Sequence, residues 1–216
     1  MLRDFSGRIE TFNRPWYKAS FNLIKFFPKD IKIIELGSGN GEYAKMLKQK
    51  FKFFHCCEGD SLSINKLKKI GLQTSKFNFN YKFPFKDNSF DLAISLEVIE
   101  HLVEPERFLG EIKRILKPKG RLLISTTNIS WFGYRLLSLM GKTPYKAGYH
   151  LQFYNYYKLK ENLEAKGFKI IATFSITPIP ILAQLFLKFF KDPVWIRVIF
   201  WQNLLAQNLI FLAQKN

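Results

Sequence analysis

Cysteine and histidine are scarce in this chain of 216 residues, which holds two of the first and three of the second. Cys56 and Cys57 are adjacent, so they cannot close a stabilising loop and do not offer the spaced pairs of a structural zinc site. A disulfide scaffold is excluded, a reducing compartment is expected, and no metal set is read from the spacing. Acidic residues are also few, 17 against 34 Lys and Arg, leaving a net charge of +17. Long apolar runs are missing as well. The longest candidate, residues 194–213, carries Arg197, Gln202, Asn203, Gln207 and Asn208, too many polar groups for a lone spanning helix. The amino terminus, MLRDFSGRIETFNRPWYK, puts acids, Arg and Pro where a secretory leader needs an unbroken apolar stretch. A cytoplasmic protein is expected, with peripheral contact at the inner face of the membrane. No repeat or low-complexity linker divides the chain, so 1–216 reads as one domain, long enough to build a core without covalent staples.

What is present in excess is positive charge and phenylalanine, 23 residues of it. The lysines are spread along the chain. Even the local group Lys66, Lys68 and Lys69 alternates with apolar residues and reads as a solvated helix face, which makes nucleic acid the less favoured partner.

After a helical amino-terminal segment (1–29, helix at about 16–27), IKIIEL (31–36) is a β-rich apolar run, and an alternation follows. Residues 41–50 read as helix, 52–58 as strand, 61–70 as helix, 72–77 as strand and 90–95 as strand. Glu104 stands where a helix cap is expected, with Pro105 in the first turn, and Phe108, Leu109, Ile112, Ile115 and Leu116 form a helical stripe that KPKG (117–120) stops. RLLISTT (121–127) reads as a fifth strand, 156–166 as helix, and FKIIATFSI (168–176) as a sixth strand. NLIFLAQ (208–214) has the composition of a seventh, leaving 178–205 as a largely helical insertion. This is the rhythm of a parallel sheet covered by helices on both faces.

The chemistry concentrates at Glu35-Leu36-Gly37-Ser38-Gly39-Asn40-Gly41, where the first strand meets the first helix. Glycines at alternate positions allow a tight turn and close backbone approach to a ligand. The dinucleotide fingerprint needs glycine at 42, and Glu42 stands there, so a nucleoside with an amino-acid tail fits better than a pyrophosphate. Glu58 follows at the end of the second strand, where a carboxylate can accept both ribose hydroxyls.

On ELGSGNGEY (35–43), Glu58, FNFNYKFPFKDNSFDLAIS (77–95) running into LEVIEHL (96–102), and EPERFLGEIKRILKPKGRLLIST (104–126), the chain resembles the class I S-adenosylmethionine-dependent methyltransferases, type 11 group. The resemblance runs over about residues 30–176. It implies a Rossmann-like α/β fold, a seven-stranded, mostly parallel sheet with an antiparallel last strand, and S-adenosyl-L-methionine as cofactor. It also implies that Glu35, Gly37 and Gly39 lie near the methionine end, Glu58 on the ribose, and Leu96 along the cofactor. Where the family has an acid that accepts the adenine amine, this chain has Asn78. An amide oxygen can accept the same bond, with Phe79 packing on the ring, although a plain turn residue is the competing reading.

For the acceptor, Ser95-Leu96-Glu97-Val98 replaces the Asn/Asp-Pro-Pro-aromatic motif of exocyclic-amine methylation, and no cysteine lies near the later strands for covalent base methylation. His150 is favoured as general base because it lies beyond strand five at the open end of the cleft. His101, in VIEHL, either shares that duty or organises the loop, and His55 reads as structural. Residues 129–149 and 178–205 mix aromatics with Lys and Arg and are expected to form an acceptor lid, a membrane-facing surface or a subunit contact. The expected reaction is O-methylation of a small acceptor, lipid-linked or glycan and anionic. An RNA- or protein-directed enzyme and a non-catalytic cofactor binder stay open as alternatives.

Overall fold

The computed structural model describes residues 14–143, 150–178 and 195–216. At its centre is β1 (Lys32–Leu36), whose Ile33, Ile34 and Leu36 are buried. It pairs in parallel with β2 (Phe53–Glu58) on one side and β4 (Phe90–Leu96) on the other. Outside these lie β3 (Thr74–Lys76) and β5 (Leu116–Thr127), both parallel to their neighbours. β9 (Asn208–Lys215) runs antiparallel against β5, so NLIFLAQ is the reversed strand expected of it. The order is β3-β2-β1-β4-β5-β9, with β6 (Phe168–Thr173) and β7 (Ser175–Pro178) both antiparallel to β9.

Parallel neighbours need crossovers, and helices supply them. One face carries α1 (Pro15–Ile24), α2 (Glu42–Lys48) and α3 (Ser61–Lys69), burying Ile24, Tyr43, Leu47 and Leu67. The other carries α4 (Pro105–Ile115) and α6 (Tyr156–Ala165), which bury Phe108, Leu109, Ile112, Leu159 and Leu163 against β4, β5 and β9. α5 (Phe132–Leu139) follows β5 and buries none of its residues.

Four expectations need correction. FKIIATFSI is not one strand, because the chain steps out at Phe174 and divides it into β6 and β7. The insertion 178–205 is not largely helical where it is described: Trp195–Val198 forms β8, antiparallel to β7, and only Gln202–Leu205 is a helical turn, α7. Residues 179–194 and 144–149, and the first thirteen, lie outside the described residues. KPKG does not stop α4 so much as loop out of β5: Phe90 pairs Leu116, and Leu92 already pairs Arg121. Gly120 permits that loop, since a Cβ there would stand 2.8 Å from the Lys117 carbonyl oxygen. Glu104 occupies the cap position of α4 without a side-chain cap bond. Asn80 fixes the chain that enters the helix, its Oδ1 accepting from the Val103 and Glu104 N–H groups (3.0 and 3.2 Å). Among the described residues, no helix is long and apolar enough to cross a membrane.

The long loop between β3 and β4 is pinned by one arginine. Arg114 donates to Glu111 (2.7 Å), to Asp87 (2.6 Å) and to the carbonyl oxygens of Phe83 and Phe85 (3.1 and 2.8 Å), while Glu111 accepts the Phe83 N–H (2.7 Å). Charge-assisted bonds of this kind are each worth about 1.5–3 kcal/mol, and truncating the guanidinium leaves several acceptors unpaired. Arg114→Met is expected to lower unfolding free energy by about 2–4 kcal/mol in urea titration, and a loss under about 0.5 kcal/mol would contradict the clamp.

Candidate active site

The carboxyl ends of β1, β2 and β4 surround a cavity of about 580 Å³. Its floor is the glycine turn. Gly37 (φ 84°) has no room for a side chain because Val98 packs directly on it, and its N–H donates to the Cys57 carbonyl (2.9 Å), sewing the turn to β2. Gly39 (φ 52°) has nothing within 4 Å of a built Cβ, so its backbone faces open cavity. Gly41 (φ 82°) starts α2 from the left-handed region, with Leu67 2.8 Å from where a Cβ would lie.

Glu58 closes the rim. Its Oε1 accepts the Gly39 N–H (2.7 Å) and its Oε2 the Gly59 N–H (3.0 Å). Burial raises its pKa, and the two N–H donors oppose the shift. Each oxygen retains a lone pair for a vicinal diol. Glu35 is placed differently from expectation: it does not line the cavity but sits beneath the turn, 4% exposed, accepting from the Cys56 thiol (3.6 Å). Desolvation lifts its carboxyl from 4.5 to about 7.

Phe79 lines the cavity and is backed edge-on by Phe77 (5.1 Å) and obliquely by Phe108 (5.9 Å). Leu62, 69% exposed at the start of α3, lines it too. Asn78 lines the cavity, but its Oδ1 is committed to a turn, accepting from the Asn80 backbone N–H (2.9 Å) and side-chain amide (3.1 Å). Both lone pairs are used, so the adenine-amine role expected for that oxygen is not available in this arrangement. Lys66 is exposed, as its solvated-face reading has it, and its Nζ donates to Asn40 Oδ1 (3.0 Å) at the cavity lining.

Leu96, Glu97 and His101 also line the cavity. Glu97 is left-handed (φ 56°), a conformation costing a non-glycine residue about 1–2 kcal/mol. It is held there by Ser125 and Thr127, whose hydroxyls donate to its two oxygens (2.8 and 3.0 Å). Glu100 is 1% exposed and accepts from the Thr126 hydroxyl (3.0 Å). Burial raises both carboxyls, Glu100 well above its ordinary range because Glu97 adds like charge. His150 is half-buried, its ring edge-on to His101 at 4.9 Å, and burial together with that neighbour lowers its pKa. The two candidate bases, 49 positions apart in the chain, therefore form one pair. His55 lies in β2, hydrogen-bonded to Ser75 (2.8 Å), away from the cavity lining. Sequence reasoning missed Glu97, Glu100 and Asn80. The signal for the first two was Glu-x-x-Glu-His directly after a strand.

A family described as "Methyltransferase domain" matches residues 12–173. The chain belongs to the class I S-adenosylmethionine-dependent methyltransferases. S-adenosyl-L-methionine is its cofactor, and the cavity suits it: an open glycine backbone, a diol-accepting carboxylate and an aromatic wall. The chain is 38% identical over 109 residues to an uncharacterised protein of Methanocaldococcus jannaschii, covering 49% of this chain and 46% of that one. It is 24% identical over 175 residues to a ubiquinone biosynthesis O-methyltransferase of Bartonella bacilliformis, covering 74% and 68%. The chain thus spans about half the length of the first of these curated relatives. A solved SAM-dependent methyltransferase of Thermotoga maritima superposes with TM-score 0.66 at 21% identity, covering 93% of this chain and 89% of that one.

Two substitutions separate turn geometry from cofactor contact. Gly39→Ala is expected to fold, at a cost of about 1 kcal/mol, and to bind S-adenosylmethionine at least tenfold more weakly by calorimetry; unchanged affinity would contradict the cofactor placement. Glu35 gives the second test. In the unfolded chain it loses its proton near 4.5 and in the fold near 7, so stability falls as pH rises between those values and levels off above. Glu35→Gln should remove about 2–3 kcal/mol of that fall between pH 5 and 7.5 in urea titrations of the cofactor-free protein, and equal pH slopes would refute it.

Proposed function

We propose that the protein is an O-methyltransferase that takes the methyl group of S-adenosylmethionine and places it on a hydroxyl of a small, lipid-linked or glycan acceptor. The observation that carries this reading is the Glu97, Glu100, His101 and His150 group, of which Glu97 and His101 line the cofactor cavity and His150 packs edge-on against His101. When bound, the cofactor supplies a methyl carbon made electrophilic by the sulfonium. A hydroxyl attacks such a carbon usefully only as it loses its proton, and His101 lines the cavity with His150 packed edge-on to it. Glu97 lines the same cavity, and Leu96 and Val98 keep the approach apolar. The Bartonella relative, an O-methyltransferase of ubiquinone biosynthesis by description, supports a hydroxyl acceptor.

The acceptor is proposed to come from an anionic membrane surface. Near the carboxyl end of β5, α5 and the following turn expose Leu136, Leu139 (86%) and Met140, and residues 199–201 expose Ile199, Phe200 (79%) and Trp201 (76%). Phe132 and Leu205 line one groove with Ile196 and Phe200, which joins the two segments. Arg135, Lys142 and Arg197 lie among them, and the chain carries +17 overall, so the face matches a negatively charged bilayer.

Two measurements test the reading. Tritiated-methyl transfer into extract, sorted into lipid, glycan, RNA and protein fractions, should label lipid or glycan; label confined to RNA or protein, or none, would refute it. Sedimentation with phosphatidylglycerol vesicles should show a fall of at least threefold in bound protein for the Leu139→Ser, Trp201→Ser double variant, and equal pelleting would remove the membrane role.

A further inference from the structure

Glu100, His101 and His150 offer one carboxylate oxygen and two ring nitrogens that all lie within 4.8 Å of one another. The grouping is fixed by backbone: the Leu151 and Gln152 N–H groups both donate to the Glu100 carbonyl (2.8 and 3.0 Å), pinning the segment that carries His150 onto the turn that carries the other two. A second observation points the same way. Glu100 is 1% exposed, and while its Oε2 accepts from Thr126, its Oε1 is buried with no hydrogen-bond partner. A buried carboxyl oxygen without a donor is costly, and a cation is the partner that the neighbouring imidazoles are suited to share.

Bonds of about 2.1 Å put ligand atoms at most about 4.2 Å apart across an ion, so side-chain shifts of a fraction of an ångström close the set. One oxygen and two imidazole nitrogens suit manganese, iron, cobalt or zinc and leave coordination positions free. Glu97, held by Ser125 and Thr127, adds a second carboxyl beside the set and lines the cofactor cavity together with His101.

We propose that Glu100, His101 and His150 bind a divalent transition-metal cation, and that its free positions take the acceptor's hydroxyl oxygen together with a neighbouring oxygen of the same molecule. This rests on the O-methyltransferase reading and refines it. Coordination lowers the hydroxyl's pKa, so its proton leaves to water. The new carbon–oxygen bond forms as the methyl carbon's bond to sulfur breaks, and that bonding pair stays on the sulfur. In this form the imidazoles act by holding the ion.

The test uses the full chain stripped with EDTA and dialysed, titrated calorimetrically with MnCl2 and separately with ZnCl2. The expected result is one equivalent of at least one metal, weakened at least tenfold in His150→Ala and in Glu100→Gln and unchanged in His55→Ala. S-adenosylmethionine titrations of the same samples should be unaffected. Absence of both metals from the wild-type protein, or equal affinity in His150→Ala, overturns the site. His150 is half-buried and outside the core, so that variant decides the question even if Glu100→Gln fails to fold. Intact cofactor binding without metal binding sinks this inference alone, whereas loss of cofactor binding in the wild type would sink the methyltransferase reading itself. Methyl transfer that proceeds equally with and without EDTA would overturn the ion's part in the reaction.

Discussion

The bond from the Gly39 N–H to the Glu58 carboxylate joins the two strand ends on which the site depends. It is a charge-assisted contact between the turn after β1 and the last residue of β2, and it holds a backbone that no side chain supports, since Gly39 has open space where a Cβ would be. Gly37 and Ser38 reinforce it by donating to the Cys57 carbonyl one residue earlier. The cavity is what remains when these strands are drawn together and the chain beyond them must turn away. Strand carboxyl ends are where such sheets bind ligands, because the order reverses there and adjoining crossovers leave on opposite faces.

The turn after β4 obeys a different constraint. Glu97 and Glu100 are two carboxylates brought together under low solvation, and the protein meets that cost with hydroxyls from three consecutive residues of β5, Ser125, Thr126 and Thr127. Those hydroxyls alternate across the strand, so a β5 shifted by one residue would lose them. The register that aligns Ser95 with Ile124 and Leu96 with Ser125 thus supports both the sheet and the acidic floor. The left-handed Glu97 is the strain accepted in return.

The core fold was legible because its elements have local signatures: β1 is a short apolar run, α4 carries a complete apolar stripe, and NLIFLAQ has a strand's composition. Glu58 and the glycines were legible for the same reason, as spacing fixes their places on strand and turn. What escaped depends on contacts distant in sequence. Asn78 reads as a ligand group until Asn80 is seen to occupy its oxygen, and Asn80 reads as loop until it is seen to hold the segment leading into α4. His101 and His150 carry no signal of pairing, which arises from backbone bonds between residues 151–152 and Glu100. Residues 178–205 read as a largely helical insertion left between two strands, yet Trp195–Val198 extends the sheet because β7 offers a free edge.

The account stands or falls on the orientation of the cofactor between these two ends. A crystal structure with S-adenosylhomocysteine is predicted to show both ribose hydroxyls on the Glu58 carboxylate, the adenine between Leu62 and Phe79, and the sulfur directed toward Glu97 and His101. A ribose that does not touch Glu58, or a sulfur facing away from the His101–His150 pair, would contradict it.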